Sequence, residues 1–159
     1  MNAVEDADTA DGSADDEAPD DGAGEAEESG PERMDWSFMS KVGQDLRGVD
    51  LEGADLRRTI FDGADLEGAN LSRADCRNAS FVRANLMKAA LDGADLRGAH
   101  FVKAKLSLSN LQGARLDGAD MRGIRGRYAT WRRANWWDAR LSDDLERALG
   151  KKWPRPPEP

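Results

Sequence analysis

Apolar and polar positions along this chain recur every five residues. From Gln44 to Asp143, twenty consecutive five-residue units keep one register without a slip. Taking the apolar centre as position 0, the centres fall at 46, 51, 56 and so on to 141: twelve are Leu, three are Phe, and the rest are Cys76, Met121, Gly126, Trp131 and Trp136. Position −2 is Ala in fifteen of the twenty units, from Ala54 to Ala139. The other three places carry mostly Asp, Asn, Arg, Glu, Lys, Ser or Gly. A period of five fits neither the 3.6 of a helix nor the 2.0 of a strand. It predicts a solenoid whose units bury their apolar side against their neighbours. The Ala-sized limit at −2 is what a narrow, densely packed interior demands.

The phenylalanines set the size of one turn. Phe61, Phe81 and Phe101 are twenty residues apart, so four units close a square coil and the rings stack in one column, continued by Met121 and Leu141. The other columns run Leu46-Leu66-Leu86-Leu106, Leu51-Leu71-Leu91-Leu111 and Leu56-Cys76-Leu96-Leu116. Twenty units give five coils, a rod of roughly 24 Å at the usual spacing of neighbouring strands. Gly126 at a centre predicts a hole in the last coil, to be filled by Tyr128 or a residue of the C-terminal cap.

Open solenoid ends expose apolar side chains and unpaired backbone, so both ends predict caps. Residues 34–43 form the N-terminal one, read as a short helix with Asp35 as N-cap and Gly43 just past its end. Residues 44–143 are the repeat β-helix. Residues 144–159 are a C-terminal capping helix and Pro-rich end, with Ser142 as N-cap, Leu145 and Leu149 facing in, and Gly150 as the stop.

These units resemble the pentapeptide-repeat family, whose usual phrase is A-(D/N)-L-x-x, as in Ala64-Asp65-Leu66-Glu67-Gly68 and Ala69-Asn70-Leu71-Ser72-Arg73. The resemblance implies an all-β solenoid, a right-handed quadrilateral β-helix, over about 100 of the 159 residues. It also brings a functional alternative. Some members look like duplex DNA in shape and charge and act on type II topoisomerases.

Charge divides the chain and weighs against that alternative. Residues 1–33 hold thirteen acidic residues and one basic, Arg33, for a net −12, and the remainder is +4. The first segment cannot bury enough apolar surface to offset its ordering entropy, and is expected to be a disordered acidic tail. It is expected to shield the Arg-rich last coil weakly, fading with salt. A DNA mimic wants an acidic rod, and this rod is basic overall. No signal peptide or membrane-length apolar run is present, and a single Cys suits a reducing compartment, so the expected setting is cytoplasmic with no membrane partner.

Catalytic chemistry is largely absent. The lone His100 has no second ligand or relay partner, Cys76 sits in a core slot, and the recurrent Asp at 45, 55, 65, 75, 95 and 120 belongs to the repeat, where it suits tight bends. No catalytic, cofactor-binding or metal-binding residue is assigned and no cofactor is implied. Two surface features remain. The last coil gathers Arg122, Arg125, Arg127, Arg132, Arg133 and Trp137 as candidate partner contacts, set against a reading in which Trp131 and Trp136 merely plug the rod and the arginines form its rim. Val82 and Val102, with Ile60 beside them, make a short apolar strip on the Phe face. The function expected is a non-enzymatic interaction or scaffold module. It would bind an unidentified protein partner through its ladder faces or rod ends, with self-association through a rod end included and nucleic acid disfavoured.

Overall fold

In the computed structural model, residues 32–159 are described. The chain divides into two units, Met1–Arg33 and Met34–Pro159, and the second contains all of the repeats. The expectations for the acidic tail fall on residues 1–31, outside the described ones.

Each repeat is a tight turn followed by one bridging residue. A central carbonyl accepts from the N–H three residues on, as Leu51 O does from Ala54 N at 3.0 Å. Position +2 then takes positive φ, as the third residue of a type II turn must. This holds at every fifth residue from Phe38 to Arg133, with φ between 58° and 73°. Glycine fills ten of these corners, and Leu108, Tyr128 and eight other residues hold the rest, each at a local cost of about 1 kcal/mol.

Position −1 carries the ladder. Seventeen parallel bridges, from Asp35↔Asp55 to Asp120↔Arg140, all join residues twenty apart, so four units make one turn. The bridges are single and form no longer strands, because the turn leaves one residue per side in ladder geometry.

A regular unit leaves no backbone donor unpaired. In residues 64–68, Ala64 N closes onto Phe61 O, Asp65 N donates to Gln44 O in the preceding turn, and Leu66 N and Gly68 N donate to Asn85 O and Met87 O in the next. The remaining donor, Glu67 N, is capped by the Asp65 carboxylate at 3.1 Å. Asp or Asn at −1 thus completes the accounting that a packed backbone requires.

The interior follows the expected columns. Leu51, Leu56, Leu66, Leu71, Cys76, Leu86, Leu91, Leu96, Leu106, Leu111 and Leu116 are all buried. Phe61 and Phe81 stack at 5.1 Å, and Phe81 and Phe101 at 4.8 Å, with planes within 9°. The two hydroxyls admitted at −2 are satisfied: Thr59 Oγ1 donates to Trp36 O at 2.7 Å and Ser109 Oγ to Leu106 O at 2.6 Å. Burial among apolar side chains pushes the Cys76 thiol well above its ordinary pKa, so it behaves as a core residue.

The ends depart from expectation in four places. No N-terminal helix forms: residues 34–43 are two more repeat units, bridged through Asp35 and Ser40 to the coil above. Trp36 and Lys41 fill the central slots, and Lys41 Nζ lies 4.0 Å from the Trp36 ring centroid. A cation–π contact therefore seats a lysine where Leu or Phe belongs elsewhere. Nor does Tyr128 fill the space at Gly126, since it is 74% exposed. A Cβ built at Gly126 would instead meet the Trp131 ring at 3.7 Å and Ile124 at 3.8 Å. Those two side chains occupy the volume.

The last turn breaks register at Asn135. There Leu116 N donates to the Asn135 side-chain oxygen at 2.6 Å in place of a backbone carbonyl. A 3-10 turn at Trp136–Asp138 follows, and Gly118 N reaches Asp138 O, one residue further than the pattern. The chain then returns through Arg140 and enters helix α1, Asp143–Lys152. Ser142 holds the N-cap position without a side-chain cap bond, and α1 runs through Gly150 instead of stopping there. Gly150 passes close to Trp136, its ideal Cβ 3.7 Å from the ring. Leu149 is buried, and Trp136 Nε1 donates to Trp153 O at 2.9 Å, which fastens α1 to the rod.

Candidate interaction surfaces

The four faces of the rod differ in how their charges are spent. On the face of the Leu56 column, Asp55, Asp75 and Asp95 stack at −1 and Arg57, Arg77 and Arg97 at +1. Each Arg grips the Asp two residues before it at 2.5–2.7 Å. Arg57 and Arg77 also approach the next Asp up at 3.8 Å. The result is a zipper of alternating charge in which every Arg is paired with an Asp. Arg47–Asp45 and Arg122–Asp120 repeat the pairing on other faces at 2.6 Å.

The arginine partners lower the carboxylates of Asp45, Asp55, Asp95 and Asp120. Hydrogen bonds from the Arg47 side chain and N–H lower Asp45 to about 2. Arg57 and Arg122 lower Asp55 and Asp120 in the same way, the side-chain bond contributing most. Burial pushes Asp95 up, but the Arg97 hydrogen bonds and charge outweigh it and the net shift is downward. Unfolded Asp titrates near about 3.9. The stability these groups contribute is complete above that value and is lost as pH falls through the lowered folded values. Thermal melts should give a constant Tm from pH 7 to about 5 and a falling Tm below about 4. A Tm unchanged down to pH 2 would show that the zipper adds nothing to stability.

The sequence-predicted contact residues do not form one patch. Arg122 is consumed by Asp120. Arg132 is exposed on the face of the Leu51 column. Arg133 and Trp137 do meet, lining a cleft of about 270 Å³ with Trp136, Lys152, Trp153 and Pro154 at the joint between α1 and the rod. Trp131 and Trp136 are buried plugs, with Trp137 edge-on to Trp136 at 5.8 Å. Val82 and Val102 are half-buried, and Ile60 is exposed. Asp62 interrupts the strip below Val82, accepting from Val82 N at 3.2 Å and from Ser80 Oγ.

Arg125 and Arg127 belong to a different surface, the C-terminal half of the face of the Leu46 column. Arg125 lines a groove of about 520 Å³ with Arg83, Lys103, Lys105 and Gly123. Leu108 and Tyr128 stand at the far corner of the same face, one rung apart and at least half exposed. Sequence reasoning missed Arg83, Lys103 and Lys105. The signal for Lys105 was the −1 slot, which reads Asp45, Asp65, Asn85 and then Lys105, Arg125 up this one column. Arg83 and Lys103 interrupt the +2 slot of the adjoining Phe column, which reads Gly43, Gly63, Arg83, Lys103, Gly123.

His100 is exposed on the Phe face between Ser80 and Asp120. Among the described residues, no three His, Cys, Asp or Glu side chains cluster in a way that could hold a metal ion, and no helix is long and apolar enough to cross a membrane.

The profile of the pentapeptide repeats family matches this chain in eight copies, over residues 43–73, 59–98 and 84–123. The crystal structure of a pentapeptide repeat protein from the Arabidopsis thaliana thylakoid lumen is 39% identical, covering 70% of this chain and 77% of its own, with a TM-score of 0.68. A pentapeptide repeat protein from Nostoc PCC 7120 is 29% identical over 69% of this chain and 86% of its own, with a TM-score of 0.29. QnrB1, a plasmid-mediated fluoroquinolone resistance protein, is 17% identical over 72% and 94%, with a TM-score of 0.36. No curated protein matches the chain.

Proposed function

Because the chain belongs to the pentapeptide-repeat family, we propose that it is a non-enzymatic interaction module, a right-handed quadrilateral β-helix whose Leu46-column face receives a protein partner. One observation carries this reading. Leu108 and Tyr128 are large hydrophobes held at φ of 64° and 63°, where Gly fits best, and are 50% and 74% exposed. A bulky residue there strains the turn and leaves half or more of its surface in water, so folding does not account for it. Phe38 occupies an equivalent corner in the terminal turn and is also 69% exposed, but Arg58 lies over its ring, 5.8 Å from the centroid. The pair at 108 and 128 instead stands beside Arg125 and Arg127, the mixture of aromatic, aliphatic and Arg that interface centres favour.

The DNA-mimicking alternative is weakened by charge. Residues 34–83 hold nine acidic and seven basic residues, whereas residues 84–142 hold five and eleven, so the rod grows basic toward its C-terminal end. A cytoplasmic setting is part of the proposal and rests on the single cysteine, which suits a reducing compartment. The lumenal origin of the 39% identical structure makes fractionation of the host cell the direct check.

The test is a pull-down with cross-linking mass spectrometry, comparing the parent with Leu108→Gly/Tyr128→Gly. The double variant relieves two strained corners, so its Tm should rise. Loss of partner recovery then reports the surface and not the fold. Cross-links at Arg125 and Arg127 that disappear in the variant are expected. Equal recovery by both proteins, or cross-links confined to the Asp/Arg zipper face, would overturn the assignment.

A further inference from the structure

We propose that the groove between Arg83, Lys103, Lys105 and Arg125 is a binding site for a short polyphosphate chain, free or carried by a nucleoside triphosphate. This goes beyond the docking of a protein partner, since a small anion needs no second macromolecule.

Pairing points to it first. The Arg residues in Asp-x-Arg units are gripped by their own Asp, whereas Arg83, Lys103, Lys105 and Arg125 have no ion pair among the described residues. Four uncompensated cations around a concave space of about 520 Å³ make a focused positive potential.

Backbone accounting points the same way. Asn85 and Asn110 at −1 cap the N–H of Met87 and Gln112 at 3.2 and 3.0 Å. Lys105 and Arg125 hold that slot without being able to accept a hydrogen bond. Among the described residues, no side chain caps the N–H of Ser107 or Arg127. Ala90, His100 and Arg115 also leave the N–H two residues on without a side-chain cap, so what sets Lys105 and Arg125 apart is that both replace the cap with a cation lining one groove.

Geometry sets the ligand. Arg83 and Lys103 lie on adjacent rungs, as do Lys105 and Arg125, which form a bridge. Rungs are about 4.8 Å apart, so the cations span a few phosphates and no more. Toward the N-terminus the same face turns acidic at Asp65 and Glu67, which repels a longer backbone laid along the rod. No aromatic ring lines the groove, so a base has nothing to stack on. Gly123 lines the groove without a side chain, and a Cβ there would already touch Lys103 Cγ at 3.4 Å.

The experiment is calorimetric titration of the full chain at low salt with inorganic tripolyphosphate, ATP, GTP, orthophosphate and a single-stranded oligonucleotide. Tripolyphosphate, ATP and GTP should bind within about threefold of one another, because only the phosphates are read. Orthophosphate should bind at least about tenfold more weakly, since it meets fewer of the cations. The variant Lys105→Asn/Arg125→Asn should lose at least about tenfold in affinity while its Tm rises by about 2–4 °C through the restored caps. Gly123→Leu should lose binding with no change of charge, and folds because ten corners already hold non-glycine residues. Arg132→Ala/Arg133→Ala should bind within about twofold of the parent. The site is overturned if the groove variants bind like the parent, if Arg132→Ala/Arg133→Ala weakens binding as much, or if only the oligonucleotide binds.

Discussion

Leu91→Asp should leave the rod unfolded at 25 °C. Leu91 is fully buried midway along its column, between Leu71 and Leu111. The substitution loses about 1.5–3 kcal/mol of side-chain burial and adds an unpaired buried charge costing about 3–5 kcal/mol. Domains of this size are stable by about 5–15 kcal/mol in total. Position magnifies the damage. In a solenoid each turn is held by its neighbours, so a broken central turn leaves two short stacks, neither with enough turns to stand alone. Aspartate at Leu46, half-buried in the first full turn, should cost less. Circular dichroism and thermal melting decide it. A cooperative melt of Leu91→Asp close to the parent's would contradict the buried column.

Phe81→Ala should be the next most severe, at about 3–5 kcal/mol. Among the described residues, Phe81 is the one ring stacked on both faces, at 5.1 Å from Phe61 and 4.8 Å from Phe101. Truncation removes its burial, opens a cavity that the flanking rungs are too tightly bonded to close, and breaks both stacks. Phe81→Leu restores most of the volume and should retain much of that stability, losing mainly the stacking contribution of about 0.5–1.5 kcal/mol per pair. Urea titrations of the two variants separate volume from stacking. If Leu unfolds at the parent's urea midpoint and Ala alone is destabilised, the column is a volume filler and the ring geometry is incidental.

The columns, the four-unit turn and the small −2 slot were all legible in the residues because each repeats in a fixed place. The N-terminal turn was not. Its centres are Trp36 and Lys41 and its −2 residues Met34 and Met39, since an end unit packs on one neighbour only and its slots accept residues an interior unit would reject. Gly126 misled for a related reason. The residue filling its space, Trp131, stands one face away, and a side-chain direction cannot be read from a register.

The surface was half legible. Asp120-x-Arg122 already announces a closed pair, so Arg122 was readable as spent. Arg125, in the next unit of the same charge cluster, is open because its −1 slot lies over Lys105 and not over an Asp.

Everything set within five residues follows from the order of the amino acids alone: the turn, its positive-φ corner, the Asx cap and the inward pair of side chains, because those hydrogen bonds and torsions are local. Tertiary structure decided what depends on residues twenty apart or at an end. Coil stacking placed Arg83 over Lys103 and Lys105 over Arg125, aligned Leu108 with Tyr128, seated Lys41 on Trp36 and turned α1 onto Trp136. The physical reason is that charge compensation and end packing are contacts between rungs, and the period states which slots stack without stating which residues will compensate one another there.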